Sequence, residues 1–142
     1  MLRQLATAGA VTLATIGVHS IAMAVVIYVF KRRQAVKSEL HFQVHLAILM
    51  IAVVAVLNAA HLIEVAVWAV VYDALGVVPD NVSSFYFALV NFTTLGYGDV
   101  VPATRWRLLG PLTTMNGVLL LGWSTAVIFA ILSSQLSLAS DR

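Results

Sequence analysis

The chain has 142 residues, 61% of them hydrophobic and only 10% charged, with a mean hydropathy of +0.98. No soluble domain of that length hides so much apolar surface, so its solvent is lipid. The net charge of +2 sits beside apolar segments and not on a polar face, which excludes a nucleic-acid partner, and the lack of cysteine excludes disulfides and thiolate metal sites.

A first apolar span covers residues 7–30 and stops at Lys31-Arg32-Arg33. It exceeds the roughly 20 residues a helix needs to cross hydrocarbon. Arg3 and the Ala22-Met23-Ala24 triplet resemble parts of a cleavable signal, but the apolar run continues past Ala24 to Phe30. Cleavage there would also strand the basic cluster outside, so the span is read as a retained helix. Lys31, Arg32, Arg33 and Lys37 are the densest basic group in the chain and mark a cytoplasmic loop. The N-terminus is then outside and the C-terminus cytoplasmic. His41 and His45 follow at helical spacing, with only Glu39 near them in sequence, and read as a solvated interface and not a metal site.

The second span, residues 42–72, contains no proline or glycine. Glu64 lies on the order of 12 Å below its outer end at 1.5 Å per residue. An ionisable group at that depth calls for a named partner. His61 and Asn58 precede it at successive turns, and His19 of the first span is a further candidate. The Asn58, His61, Glu64 stripe reads as a hydrogen-bonded cluster that fixes helix packing, with proton sensing as the alternative. Trp68, Tyr72 and Trp106 read as aromatic anchors at the outer interface, and the mid-span Trp123 as packing.

Residues 73–106 are too polar and too glycine-broken to cross. They hold a turret over 76–81 and a short helix over 83–93 for which Asp80, Asn81 and Ser83 are candidate caps. The string Thr93-Thr94-Leu95-Gly96-Tyr97-Gly98-Asp99 follows. Non-helical backbone at membrane depth is tolerated only when buried in protein or lining water, which describes a re-entrant loop. Gly96 and Gly98 permit the left-handed conformations that turn successive carbonyls in alternate directions. A third span covers residues 107–136.

The seven-residue string resembles the selectivity filter of tetrameric potassium channels, and the match to that family's two-span pore module covers about residues 42–136. The resemblance implies an all-α membrane protein: three transmembrane helices, a re-entrant pore helix and a filter loop, around a central pore. It implies that the carbonyls of Thr94, Leu95, Gly96 and Tyr97, with the Thr94 hydroxyl, coordinate dehydrated K+, with Gly98 completing the filter. Thr93 supports the loop, Tyr97 wedges outward, and Asp99 gathers cations at the mouth. One chain supplies one filter strand and four close a ring, so a homotetramer in lipid is expected. Potassium is the permeant ligand, and no other cofactor is expected. On this reading residues 1–40 are an added helix and basic loop, 41–136 the pore domain and 137–142 a short tail.

Pro102, Trp106, Gly117 and Gly122 also occupy positions that resemble those of the family. The glycine pair is a hinge or a close-packing site. If it sets the register, Thr114, Val118, Leu121, Thr125 and Phe129 share a stripe toward the pore, and Phe129 is a candidate apolar gate. Aligning through Trp106 and Met115 instead turns Ala130 inward. Several features depart from the family pattern. The first span is extra and lacks the arginine periodicity of a voltage sensor, Leu95 replaces the common valine or isoleucine, and Val90 stands where some members carry an acid that pairs with the filter aspartate. A weakly selective cation channel and a non-conducting regulatory or assembly subunit are the alternatives. With no nucleophile–base pair, phosphate loop or metal-ligand set, an enzyme is not expected.

The orientation is testable with an impermeant thiol reagent. Cysteines introduced as Arg3→Cys and Gln34→Cys are expected to label from opposite sides of the membrane, and labelling of both from one side would overturn it.

Overall fold

The computed structural model describes residues 1–33 and 39–140. Its elements are α1 (Leu2–Arg33), α2 (Glu39–Leu75), the short α3 (Ser84–Phe92), a 3-10 turn (Thr104–Trp106) and α4 (Leu109–Ser140). Among the described residues there is no strand, and three helices are long and apolar enough to cross a membrane, over Leu2–Lys31, Phe42–Leu75 and Thr104–Ser137. Lys37 and position 34 lie outside the described residues.

The long helices are apolar on every side, as a helix surrounded by lipid and protein must be. Hydrophobicity therefore does not choose which face packs inward. Small and polar residues make that choice. On α4 the buried positions Thr113, Asn116, Leu120, Ser124 and Ile131 recur at helical spacing, while Met115, Val118, Leu119 and Phe129 are exposed on the single chain. α1 packs against α2 and α4, and α3 is wedged between α2 and α4.

The interior has two apolar layers. One joins Val65, Trp68, Tyr72, Phe87, Phe92, Trp106, Leu109 and Leu120 around α3. The other joins Met23, Val26, Leu49, Val53, Leu57 and Ile131 toward the opposite end. Between them lies a polar layer of His19, Glu64, His61 and Ser124.

Trp68, Tyr72 and Trp106 are not interface anchors: all three are buried. The indole N–H of Trp68 donates to Asn116 Oδ1 at 2.9 Å, and the Tyr72 hydroxyl bonds to that of Thr113. Trp106 is packed under the guanidinium of Arg3, 5.6 Å from the ring centre. An aromatic ring with a polar tip needs a partner for the tip, and for Trp68 and Tyr72 a neighbouring helix meets that need, whereas the Trp106 indole N–H is buried without a partner among the described residues. α1 also secures the start of α4, since Gln4 Oε1 accepts from the Leu108 amide at 2.9 Å. An amide at a helix start otherwise has no intrahelical partner.

Asn116 is thus the acceptor on which the buried Trp68 depends. Asn116→Leu is expected to destabilise the protein by about 1–3 kcal/mol, the cost of an unpaired buried donor. Thermal unfolding in detergent measures this, and adding Trp68→Phe, which removes the orphaned N–H, should recover most of the loss.

Candidate functional site: the filter loop and the polar layer behind it

The pore helix starts where a side chain replaces a missing backbone partner. Ser83 is the cap that forms, its Oγ accepting from the Tyr86 amide at 3.3 Å. Ser84 donates to the Asp73 carboxylate and ties this start to the end of α2. At its other end the helix runs directly into the loop. The Val90 carbonyl accepts from the amides of both Leu95 (3.0 Å) and Gly96 (3.3 Å), and the Asn91 carbonyl accepts from Thr94 (3.0 Å). The loop is suspended by its N–H groups from the last turn of α3.

The backbone then alternates. Thr94, Gly96 and Gly98 have φ of 66°, 53° and 75°. For the glycines this carries no Cβ penalty; for Thr94 it costs roughly 1–2 kcal/mol. The glycines announced the pattern in sequence, whereas Thr94 was missed. The signal was available, because Thr94 stands one period of two before Gly96. Among the described residues none donates a hydrogen bond to the carbonyls of Thr94 through Gly98. These residues are exposed on the single chain, so their carbonyls are open to whatever lies beside the loop.

At the mouth, Tyr86 Oη donates to Asp99 Oδ2 at 2.7 Å. That bond holds the Tyr86 phenol above its ordinary range, because ionising it would place a second negative charge beside the carboxylate. Asp99 thus takes a phenol as partner, with Val90 at the site where the acid was absent in sequence. Thr93 bonds back to the Leu89 carbonyl through both its amide (3.0 Å) and its hydroxyl (2.7 Å), closing the helix end.

α4 crosses the foot of this loop very closely. A Cβ on Gly117 would lie 2.0 Å from the Phe92 carbonyl oxygen and 2.8 Å from its carbon. Thr114 Oγ1, one turn earlier, reaches the Asn91 carbonyl at 2.9 Å. Gly122 has nothing within 4 Å of a would-be Cβ, and α4 continues as one helix through both glycines. Phe129 and Ala130 are both exposed on the single chain.

Behind α3 lies the polar layer. Glu64 reaches Nδ1 of His19 with Oε1 and Nδ1 of His61 with Oε2, each at 2.9 Å. Ser124 Oγ is 3.0 Å from His61 Nε2 and 3.5 Å from His19 Nε2. His19 joins as expected from its span. Asn58 is exposed and stays out, because six residues at about 100° each turn it some 120° from Glu64. Ser124 was missed, although its spacing of eight from Asn116 placed both on one face. His19, His61 and Glu64 have the spacing of a metal-binding group, but here every one of these atoms is engaged in a hydrogen bond within the layer.

The two α4 glycines are expected to differ under substitution. Gly117→Ala must displace the end of the pore helix and should lower the unfolding temperature by several degrees, consistent with an overpacking cost of about 1–3 kcal/mol. Gly122→Ala should leave folding of the chain at the parent level; equal losses in the two variants would contradict the geometry.

Residues 60–134, just over half of the chain, match the family described as "Ion channel". A stretch of 63 residues is 38% identical to two-pore potassium channel 4 of Arabidopsis thaliana, covering 43% of this chain. The match spans 22% of that relative's length. No solved structure matches the chain. From α2 through the filter loop to α4, this chain belongs to the ion channel family.

Proposed function

We propose that this protein is a passive, potassium-selective channel built as a homotetramer, with Thr94, Leu95, Gly96 and Tyr97 lining the ion path. The observation that carries the reading is the loop itself: left-handed backbone at Thr94, Gly96 and Gly98, with no hydrogen bond on its carbonyls. Such oxygens are suited to replace the hydration shell of a cation. The name of the Arabidopsis relative adds support for potassium.

Exposure supports assembly. On the single chain Leu95 is 56% and Tyr97 66% exposed, an apolar presentation that neighbouring copies would cover. A single strand of carbonyls surrounds nothing, and rotational symmetry supplies the rest of the ring. In this arrangement the C-terminal end of α3, with its partial negative charge, favours a cation below the filter. Asp99 adds negative charge at the mouth. The orientation consistent with the basic loop has the N-terminus and Asp99 outside and the C-terminus in the cytoplasm. K+ is the permeant ligand, with no resident cofactor.

A second reading is a weakly selective cation channel. It is favoured by Asp99 resting on the phenol of Tyr86, a softer restraint than an ion-pair network, since filter rigidity is one proposed source of selectivity.

Purified protein in potassium-loaded liposomes tests both. Potassium efflux with a reversal potential following the potassium gradient is expected, whereas one set jointly by sodium and potassium supports the second reading. Gly98→Ala, which puts a Cβ on a residue at φ 75°, should reduce flux about tenfold or more, since a strain of roughly 1–2 kcal/mol arises in every copy. Unchanged potassium preference in that variant would sink the filter assignment.

A further inference from the structure

α1, α2 and α4 each contribute to one closed polar cycle inside the bundle. Glu64 spans two imidazoles, reaching His19 Nδ1 with Oε1 and His61 Nδ1 with Oε2, each at 2.9 Å. Both imidazoles turn their other nitrogen to one hydroxyl: Ser124 Oγ lies 3.0 Å from His61 Nε2 and 3.5 Å from His19 Nε2. His19 is 45 residues from Glu64 in sequence, so the set exists only in the folded chain.

Two imidazoles and a carboxylate are a donor set that divalent transition metals take. Spacing, orientation and access all suit one here. The three residues can bring ligand atoms that lie within 4.8 Å of one another. A metal about 2.0–2.2 Å from two imidazole nitrogens, and gripped by both oxygens of a carboxylate, leaves neighbouring ligand atoms roughly 3 Å apart. The two Nδ1 atoms flank the two oxygens of Glu64 at 2.9 Å. A metal can therefore replace the hydrogens between them with little movement of the side chains.

Orientation is set from behind. A histidine that ligates through one nitrogen donates the N–H of the other to a fixed acceptor, which selects the tautomer and holds the ring. With Nδ1 directed at Glu64, that acceptor must lie at Nε2. Ser124 Oγ is there, supplied by a third helix, and a hydroxyl oxygen has two lone pairs to accept with. His61 is the ring held more closely.

No fixed cation competes for the carboxylate. α2, α3 and α4 contain no Lys or Arg, and the ion pairs found among the described residues are the two that Glu64 makes with these histidines. His19 and Glu64 are fully buried, whereas His61 is 13% exposed. His61 lines a cavity of about 230 Å³ together with Asn58, Phe92 and Thr93. That cavity, beside the C-terminal end of α3, gives an ion a route to His61 and through it to Glu64.

We propose that His19, His61 and Glu64 form a reversible binding site for a divalent transition metal, zinc above all, with Ser124 as the residue that positions both imidazoles. Without metal the same atoms hydrogen-bond to one another, so folding does not require the ion. The bound metal clamps α1 to α2, next to Phe92, the last residue of the pore helix. Calcium and magnesium, which prefer all-oxygen ligands, are poor occupants.

The test uses the full chain in detergent, stripped with a chelator and titrated with zinc chloride. One zinc per chain is expected. At a hundredfold excess over Kd it should raise the unfolding temperature by roughly 5–10 °C, and calcium should not. Cobalt in place of zinc should show the visible absorption bands of a four- or five-coordinate nitrogen–oxygen site. Glu64→Gln keeps a hydrogen-bonding amide between the histidines and should fold without retaining zinc. Ser124→Ala leaves every ligand in place and should weaken zinc about 10–100-fold. If Glu64→Gln fails to fold, the cobalt spectrum of the wild type and the Ser124→Ala affinity decide. No zinc on the wild type, parental affinity in Glu64→Gln, or binding that disappears only in His41→Ala/His45→Ala would each overturn the proposal. None of these readouts depends on ion flux, so the site stands or falls separately from potassium selectivity.

Discussion

The approach of α4 to the last turn of the pore helix is the constraint on which the rest of the structure depends. At Gly117 the two backbones are so close that a methyl group would overlap the Phe92 carbonyl. This contact fixes the height and tilt of α3 against α4. Thr114 secures it by donating to the Asn91 carbonyl, and Gly110 gives room to the Asn91 side chain. From that anchored turn the carbonyls of Val90 and Asn91 take the first amides of the loop. The amides of Thr94, Leu95 and Gly96 are thereby satisfied while the carbonyls of the loop accept no hydrogen bond from the described residues.

Helices in lipid gain little from burying apolar surface, because the tails are as apolar as leucine. Specificity here comes from a few polar contacts at different depths. Gln4 meets the start of α4, Thr15 and Trp68 converge on Asn116, Tyr72 meets Thr113, and His19 meets Glu64 and Ser124. α1 takes part at three of these depths, through Gln4, Thr15 and His19, and is tied there to α2 and α4. Two apolar layers above and below Glu64 exclude water from its carboxylate.

Membership of the ion channel family and the free carbonyls of the loop meet at one segment. The family match begins at Ala60 and ends at Ser134, so it takes in His61, Glu64 and Ser124 as well as the loop at 93–99, but not His19. The partner that completes the polar cycle comes from outside the matched segment. α1 is joined to the matched segment through this contact and through those of Gln4 and Thr15.

Much of this architecture was legible in the residues. Length and hydropathy determine the three spans, since a helix is the cheap way to carry backbone through lipid. The Thr-Thr-Leu-Gly-Tyr-Gly-Asp string locates the loop, because glycine is what an alternating backbone needs. A glutamate at mid-span demands a partner, and His61 and His19 were its candidates by position. The tertiary structure alone decided what depends on two elements meeting. Helices with uniformly apolar surfaces do not reveal which face turns inward, so Trp68, Tyr72 and Trp106 read as interfacial until Asn116, Thr113 and Arg3 were found against them. Likewise nothing in the spacing of Gly117 and Gly122 told them apart. One lies against the backbone of another helix and the other faces open space, a difference set by distance and not by residue type.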